Sequence, residues 1–428
     1  MQAVELNSTA ATEKLIIDAV SASADRLIEM SRQLIGAASP NPPGDVTQVA
    51  DAAEALLRAI PGMTIERVVA APGIVNLIGR LAAHRPGRRL VFNGHLDTFP
   101  IGEDLGWTVP PLGGVVKDGL LFGRGVSDMK GGIAASILAA SILGAHRDAW
   151  RGEIVVTLAG DEESMGALGT RHLLEHHPQA RGDAMISGDV GSPMVVRFGE
   201  KGLLWVEIEA EGKPAHGAHV HKGINAIDRL REALDVLKQL ESLQADEPPM
   251  VVAAIEAAKA ISEPLSGAGE SEVLRKVTVN IGVIEGGVSP NLVPTHAIAR
   301  ADIRLPVGLN TGDIEARLRQ QLAKIPGVKM RVVQKYEPNF TSPSHEIMTT
   351  VAGAAQEILG AKPAINMRVG ASDARLYRLF GVPSVVFGPT PYNMGGPDEH
   401  VSLDELLAVT KVHALAGFRF LQEKSGAS

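Results

Sequence analysis

The sequence predicts an α/β protein in two parts: a mixed, mostly parallel sheet flanked by helices, and a smaller α+β, ferredoxin-like domain inserted into it. Three observations lead there. Strand-like apolar runs alternate with helical segments up to about residue 200, the pattern of parallel strands covered on both faces. From about residue 203 the order becomes strand–helix–strand–strand–helix–strand, the split βαβ unit. After residue 338 the first pattern resumes. The expected boundaries are 1–200 with 338–428 for the larger domain and 201–337 for the insert. A chain of 428 residues exceeds what one ordinary core serves.

Taken in order, residues 13–36 show helical periodicity and stop at Gly36, ahead of the loop Ser39-Pro40-Asn41-Pro42-Pro43-Gly44. A second helix over 45–59 ends at Pro61-Gly62. Strands are expected at 76–80, 89–94, 152–159 and 184–188, with a buried helix over 131–145. In the insert, 203–209 alternates like a half-exposed strand and 225–243 reads as a helix. Residues 247–269 have a weak pattern and are expected to be an extra helix and loop. Strands at 276–283 and 296–304, a helix over 312–323 and a strand at 328–334 complete the unit. A helix over 344–360, a core strand at 384–387 and a helix over 403–423 close the chain.

Composition narrows the function classes. Hydrophobic content of 45% and charged content of 21% are ordinary for a globular enzyme. The absence of cysteine removes disulfides, zinc–thiolate sites and thiol nucleophiles together, and fits a reducing compartment. A formal charge of −8 without a basic stripe argues against a nucleic-acid partner. Residues 1–12 lack a basic start followed by an apolar block, so a signal peptide is not expected. The apolar run 131–145 falls short of the roughly 20 residues needed to span a bilayer. No membrane partner is expected, and the cytoplasm is the expected location.

Acidic and histidine clusters stand at the ends of the apolar runs: Gly94-His95-Leu96-Asp97-Thr98, Ser127-Asp128-Met129-Lys130-Gly131-Gly132, Asp161-Glu162-Glu163 and Gly188-Asp189. Imidazole and carboxylates are what a divalent ion binds, and a spare carboxylate beside them is what a hydrolytic water needs. His95 and Asp97 are two apart at a strand end and face one way, so Asp97 is placed to hold the ring. Asp128, crowded by glycines before the buried helix, suits a bridging ligand. The glycines do not form a phosphate loop, because Gly-Lys-Ser/Thr is missing. Consecutive acids after 152–159 repel one another unless a cation is present, and one of them is free to take a proton. Asp189 repeats the placement. The plain alternative for any one cluster is a polar loop after a strand. Strand C-termini are where α/β sheets build sites.

The order of these motifs resembles the metal-dependent aminoacylase, acetylornithine deacetylase, succinyl-diaminopimelate desuccinylase and glutamate carboxypeptidase family over almost the whole chain. Gly94-His95-Leu96-Asp97-Thr98-Phe99-Pro100 and Asp128-Met129-Lys130-Gly131-Gly132 carry the resemblance. It implies a metallopeptidase-like catalytic domain and an inserted lid and dimerisation domain, hence a homodimer or higher homo-oligomer. It implies His95, Asp128 and Asp189 as one metal site, with Asp128 the bridge, Asp97 behind the histidine and Glu162 the general base. Glu163 would serve a second ion. The histidine that family members supply to that ion falls at Gly395 or Met394, in Asn393-Met394-Gly395-Gly396-Pro397-Asp398-Glu399-His400. Neither residue is a histidine. One filled site per chain, taking Mn or Zn, is expected, and His400 reaching in from the far side of the turn is the alternative.

On the substrate side, Lys213-Pro214-Ala215-His216-Gly217 resembles the segment whose histidine crosses a dimer interface to stabilise developing negative charge. Asn291 and Arg304 match pocket-lining positions, and an arginine fork suits a carboxylate. A surface pair of Asp302 with Arg304 is the plain alternative. The loop Gly370-Ala371-Ser372-Asp373-Ala374-Arg375 resembles one near the substrate, with Ser372 the expected contact. The expected function is hydrolysis of a C–N bond in a small carboxylate-bearing molecule of the N-acyl amino acid or peptide kind. The hole at Gly395 keeps open an aminohydrolase of the 5-nitroanthranilate type that releases ammonia with one metal. A catalytically dead binding protein is the third reading.

Overall fold

The computed structural model describes residues 2–102 and 106–422. Three helices open the chain, α1 (Gln2–Ser21), α2 (Ala24–Gly36) and α3 (Thr47–Arg58). The helix expected over 13–36 is thus two. Ser21 and Ser23 donate their hydroxyls back to the Ile17 and Ala19 carbonyls, an alternative to continued helix that Ser offers locally. Next come β1 (Thr64–Ala71), β2 (Ile74–Ala82), β3 (Arg89–His95), β4 (Val115–Lys117) and β5 (Leu120–Phe122). A π-helical turn, Val126–Lys130, leads into α4 (Gly131–Ala145), followed by β6 (Glu153–Ala159), α5 (Thr170–His176), β7 (Ala184–Ser187) and β8 (Val195–Glu200). The insert holds β9 (Gly202–Glu211), α6 (Ala226–Lys238), α7 (Pro249–Ser266), α8 (Glu270–Arg275), β10 (Thr278–Gly286), β11 (His296–Leu305), α9 (Thr311–Leu322) and β12 (Val328–Tyr336). The chain returns through β13 (Asn339–Phe340), α10 (Glu346–Leu359), β14 (Ala364–Arg368), α11 (Ala374–Leu379), β15 (Ser384–Val386), β16 (His400–Ser402) and α12 (Leu403–Phe420). Glu423, the expected end of the last helix, lies outside the described residues.

The main sheet has nine strands in the order β1-β2-β6-β3-β7-β15-β8-β13, with β14 paired to β8. Its centre, β6-β3-β7-β15, is parallel and its flanks are antiparallel apart from β14, so the sheet is mixed. The central strands are apolar throughout because both faces are covered: in β3 every residue after Arg89 is buried. α4 is apolar all round for the same reason, and with the π-helical turn it is the one segment among the described residues long and apolar enough to cross a membrane. In the fold 89% of that window is buried, packed on α12, α2 and β3.

The second sheet is antiparallel in the order β10-β11-β9-β12. Its strands alternate buried and exposed residues, because α6 and α9 cover one face and water the other. Leu204, Val206, Ile208, Leu230, Leu237, Ile303 and Leu318 form its core. The weakly patterned stretch 247–269 is mostly one 18-residue helix, α7. Val251 and Ile255 of α7, with Leu274 of α8, join the core of the larger domain, and α7 lies along β14. The two parts are thereby tied at a second place besides the chain crossings.

Candidate metal centre and active site

The C-terminal ends of the central strands β3, β6 and β7 bring the clusters together. His95 ends β3, the acids 161–163 follow β6, Asp189 follows β7, and Asp128 comes from the π-helical turn before α4. One ligand atom from each of His95, Asp128 and Asp189 lies within 4.8 Å of the others, the spacing that three ligands of one ion adopt. This approach requires glycine beneath it. A Cβ on Gly132 would stand 2.0 Å from the Gly188 carbonyl oxygen, so the start of α4 reaches the turn carrying Asp189 only because residue 132 has no side chain.

The histidine is oriented for an ion. Its Nδ1 lies 3.0 Å from the Asp97 carbonyl oxygen, which directs Nε2, 2.9 Å from Asp128 Oδ1, into the cluster. The Asp97 carboxylate stands farther off, at 3.6 Å. It accepts instead from the Glu162 and Glu163 backbone N–H groups, at 3.1 and 2.9 Å, and from the Asn41 amide at 2.9 Å. Asp97 therefore fixes the loop carrying Glu162 and Glu163 as much as the ring.

Glu399 has a related task. Fully buried, it accepts from Arg124, from the Gly125 and Ser127 N–H groups and from the Ser127 hydroxyl, all within 3.1 Å. It ties the C-terminal segment to the turn that presents Asp128.

The electrostatics call for a cation. Burial pushes the Glu162, Glu163 and Asp189 carboxyls above the ordinary carboxylate range, and repulsion among them, with Asp128, pushes further. Burial opposes charge on His95, but the bonds to Asp128 and Asp97 outweigh it and hold the imidazole well above its usual value. Glu163 Oε1 is buried with no hydrogen-bond partner. Orphaned oxygen, crowded carboxylates and a directed imidazole are the donor set of a hard or borderline divalent ion, so the residues fit one.

Glu162 stands beside this set. Its Oε1 lies 3.4 Å from Arg375 Nη1, and Arg375 is itself held by the Met165 carbonyl at 3.0 Å and by the Tyr336 ring, 4.5 Å beneath the guanidinium. In the sequence Arg375 stands in the segment Gly370-Ala371-Ser372-Asp373-Ala374-Arg375 with nothing local to assign it this contact.

The remaining expectations fall out unevenly. His400 does not reach the cluster: its ring stacks on Tyr392 at 5.1 Å and lies tilted against Phe122 at 4.8 Å, and Nδ1 faces the Asp398 carbonyl. At Gly395, whose φ is +73°, the Cβ direction meets the Phe99 ring. Ser372 is buried, and its N–H and hydroxyl both go to Glu200, so the hydroxyl braces its loop rather than facing an open site. Arg304 forms a two-pronged pair with Asp302, leaving Nη1 without a partner. His216 and Asn291 sit together on the insert: the Gly217 N–H donates to the Asn291 carbonyl, and both side chains are exposed. Sequence reasoning passed over Arg368, at the end of β14 and 3.3 Å from Asp189 Oδ2. A lone arginine after a short strand gives no pattern to find it by.

The profile of peptidase family M20/M25/M40 matches residues 91–417, and the chain belongs to that family. Among curated relatives, a succinyl-diaminopimelate desuccinylase of Rhodospirillum centenum is 30% identical over 399 residues, covering 90% of this chain and 95% of its own. One from Gluconacetobacter diazotrophicus is 32% identical over 348 residues, covering 79% and 82%. Human carnosine dipeptidase 1 shares the fold with a TM-score of 0.76 at 16% identity, over 96% of this chain and 99% of its own. An M20 metallo-carboxypeptidase of Sulfolobus solfataricus does so at 0.74 and 18%, over 92% and 99%. The protein is a metal-dependent hydrolase of carbon–nitrogen bonds.

Proposed function

We propose that the protein hydrolyses the amide of an N-acyl amino acid or small peptide that carries a carboxylate, with Glu162 as general base. The observation that carries this reading is Glu162, desolvated and pinned by Arg375, beside the three-ligand set of His95, Asp128 and Asp189. His95, Asp128 and Asp189 would hold a divalent ion, which would supply Lewis acidity for the water and the scissile group. Glu162 takes the proton from the attacking water and returns it to the departing nitrogen, a shuttle that suits a carboxyl whose proton affinity burial has raised. Asp97 holds the loop on which Glu162 moves that proton. His216, with a free Nε2, is the proposed donor to developing negative charge from a partner subunit, and Asn291 and Arg304 are proposed to line the pocket. The names of the curated relatives support an acyl group with its own carboxylate.

We also propose one ion per chain, Mn or Zn, in a cytoplasmic homodimer. Gly395 and the stacked His400 leave Glu163 without an imidazole partner, which supports the single ion. The same observation favours a second reading, replacement of an aromatic amino group by hydroxyl with release of ammonia. Purified protein loaded with Mn, Zn or Co, with metal counted per chain, is to be screened on N-acyl amino acids, dipeptides and aminobenzoates. Free amino acid from the first two classes is the expected product. Ammonia from an aminobenzoate alone would replace the amide reading by the second, and two ions per chain would overturn the single-ion centre.

A further inference from the structure

Three arginines cluster behind the metal ligands, on β8, β14 and α11, and they differ in one respect. Arg197 donates to Glu270, the Met367 carbonyl and Ser266. Arg378 donates to Glu200, Asn339 and the Ser384 carbonyl. Among the described residues no acceptor takes a hydrogen bond from Arg368. Its Nη1 is 3.3 Å from Asp189 Oδ2 but not aligned to bond it, and is buried without a partner. Glu200, opposite Arg368 across the strand pair, has its oxygens occupied by Ser372 and Arg378. The Arg368 side chain keeps 14% of its surface open, against 3% for Arg378 and 7% for Arg197.

A guanidinium nitrogen buried without an aligned acceptor is costly, and buried polar groups are otherwise hydrogen-bonded; beside Asp189 alone, Nη1 keeps donor capacity unused. The planar fork of a guanidinium matches a carboxylate by two parallel bonds. We propose that Arg368 binds the substrate carboxylate that flanks the scissile C–N bond, and so selects acidic substrates at the metal centre. Arg304, already paired with Asp302, is not the free fork in this structure. The inference rests on the hydrolase reading only in taking His95, Asp128 and Asp189 to hold an ion, and it applies equally to an amide and to an aminobenzoate.

Product-like probes test it without turnover. Calorimetric titration of the Mn-loaded protein with succinate against succinamide, and with benzoate against benzamide, reads the carboxylate preference directly. The wild-type protein is expected to prefer at least one carboxylate by about tenfold or more. Arg368→Met is expected to remove that preference with its metal content unchanged, and Arg368→Lys to keep part of it. Should Arg368→Met fail to fold by circular dichroism, a partial loss of the preference in Arg368→Lys carries the test, and an undiminished preference there overturns the proposal. Retained preference in the arginine-free variant, loss of its ion, or no preference in the wild type would each overturn the proposal. A preference for carboxylates with no turnover of N-acyl amino acids or dipeptides would sink the proposed amide substrates and leave this inference standing.

Discussion

Exchange of Glu162 for Gln keeps the shape of the side chain and its place beside Arg375 but removes the proton acceptor. The variant is expected to bind its ion and its substrate as before while kcat falls by about 10²–10⁴. Metal analysis and steady-state kinetics read the two separately; unchanged turnover would dismiss Glu162 as the base. The convergence of His95, Asp128 and Asp189 was legible in the sequence because each stands where an apolar run begins or ends. Two kinds of fact were not legible. Ser372 offered a hydroxyl near the substrate loop, but Glu200, far away in sequence, takes it. Arg368 gains its meaning from an Nη1 that finds no hydrogen-bond partner among the described residues, a property of packing that no local pattern encodes. The missing histidine at Gly395 was legible as an absence, and the structure gives it a form: the glycine backs onto Phe99 while His400 lies between two aromatic rings.

At the scale of elements, the contact between α4 and the turn after β7 is the joint on which the centre depends. Gly132→Ala would put a methyl group against the Gly188 carbonyl, and something must shift. A core that accepts an extra carbon with difficulty loses about 1–3 kcal/mol, and this clash is with backbone, which yields less than a side chain. Urea unfolding is expected to show a loss in that range or above, together with weakened metal binding as Asp128 and Asp189 move apart; unchanged stability and metal content would dismiss the joint. Elements were recovered where the apolar run is unbroken, as in α4 and β3, or where it alternates, as in β11 and β12. β1 escaped notice because an edge strand with a largely exposed face carries little apolar signal. β14 escaped it because five residues are too few to show a period. α7 was undervalued because its apolar face packs on the other domain, which its place inside the insert does not suggest.

At the scale of the whole molecule, the core of the larger domain holds a histidine that never meets water. His413 of α12 is fully buried between the Phe92 and Phe387 rings, its Nε2 2.8 Å from the Phe387 carbonyl oxygen and its Nδ1 3.3 Å from the Ser136 hydroxyl of α4. Burial pushes its pKa down to about 4, and the bond to Phe387 offsets only part of that. The sign follows from linkage. Above the unfolded value of 6.5 the ring is neutral in both states and stability is at its full level; between 6.5 and about 4 the unfolded chain takes up a proton that the folded chain refuses. A difference of that size corresponds to about 3 kcal/mol lost by pH 4. His413→Leu gives up the two polar contacts and is expected to be less stable at pH 7, yet to lose less on acidification than the wild type. Unfolding free energies of the two proteins at pH 7 and pH 4.5, both stripped of metal, read the difference between the slopes. Parallel slopes would mean that the imidazole titrates in the folded core as it does in the open chain, and that the packing of α12 on α4 and β3 is looser than its burial implies.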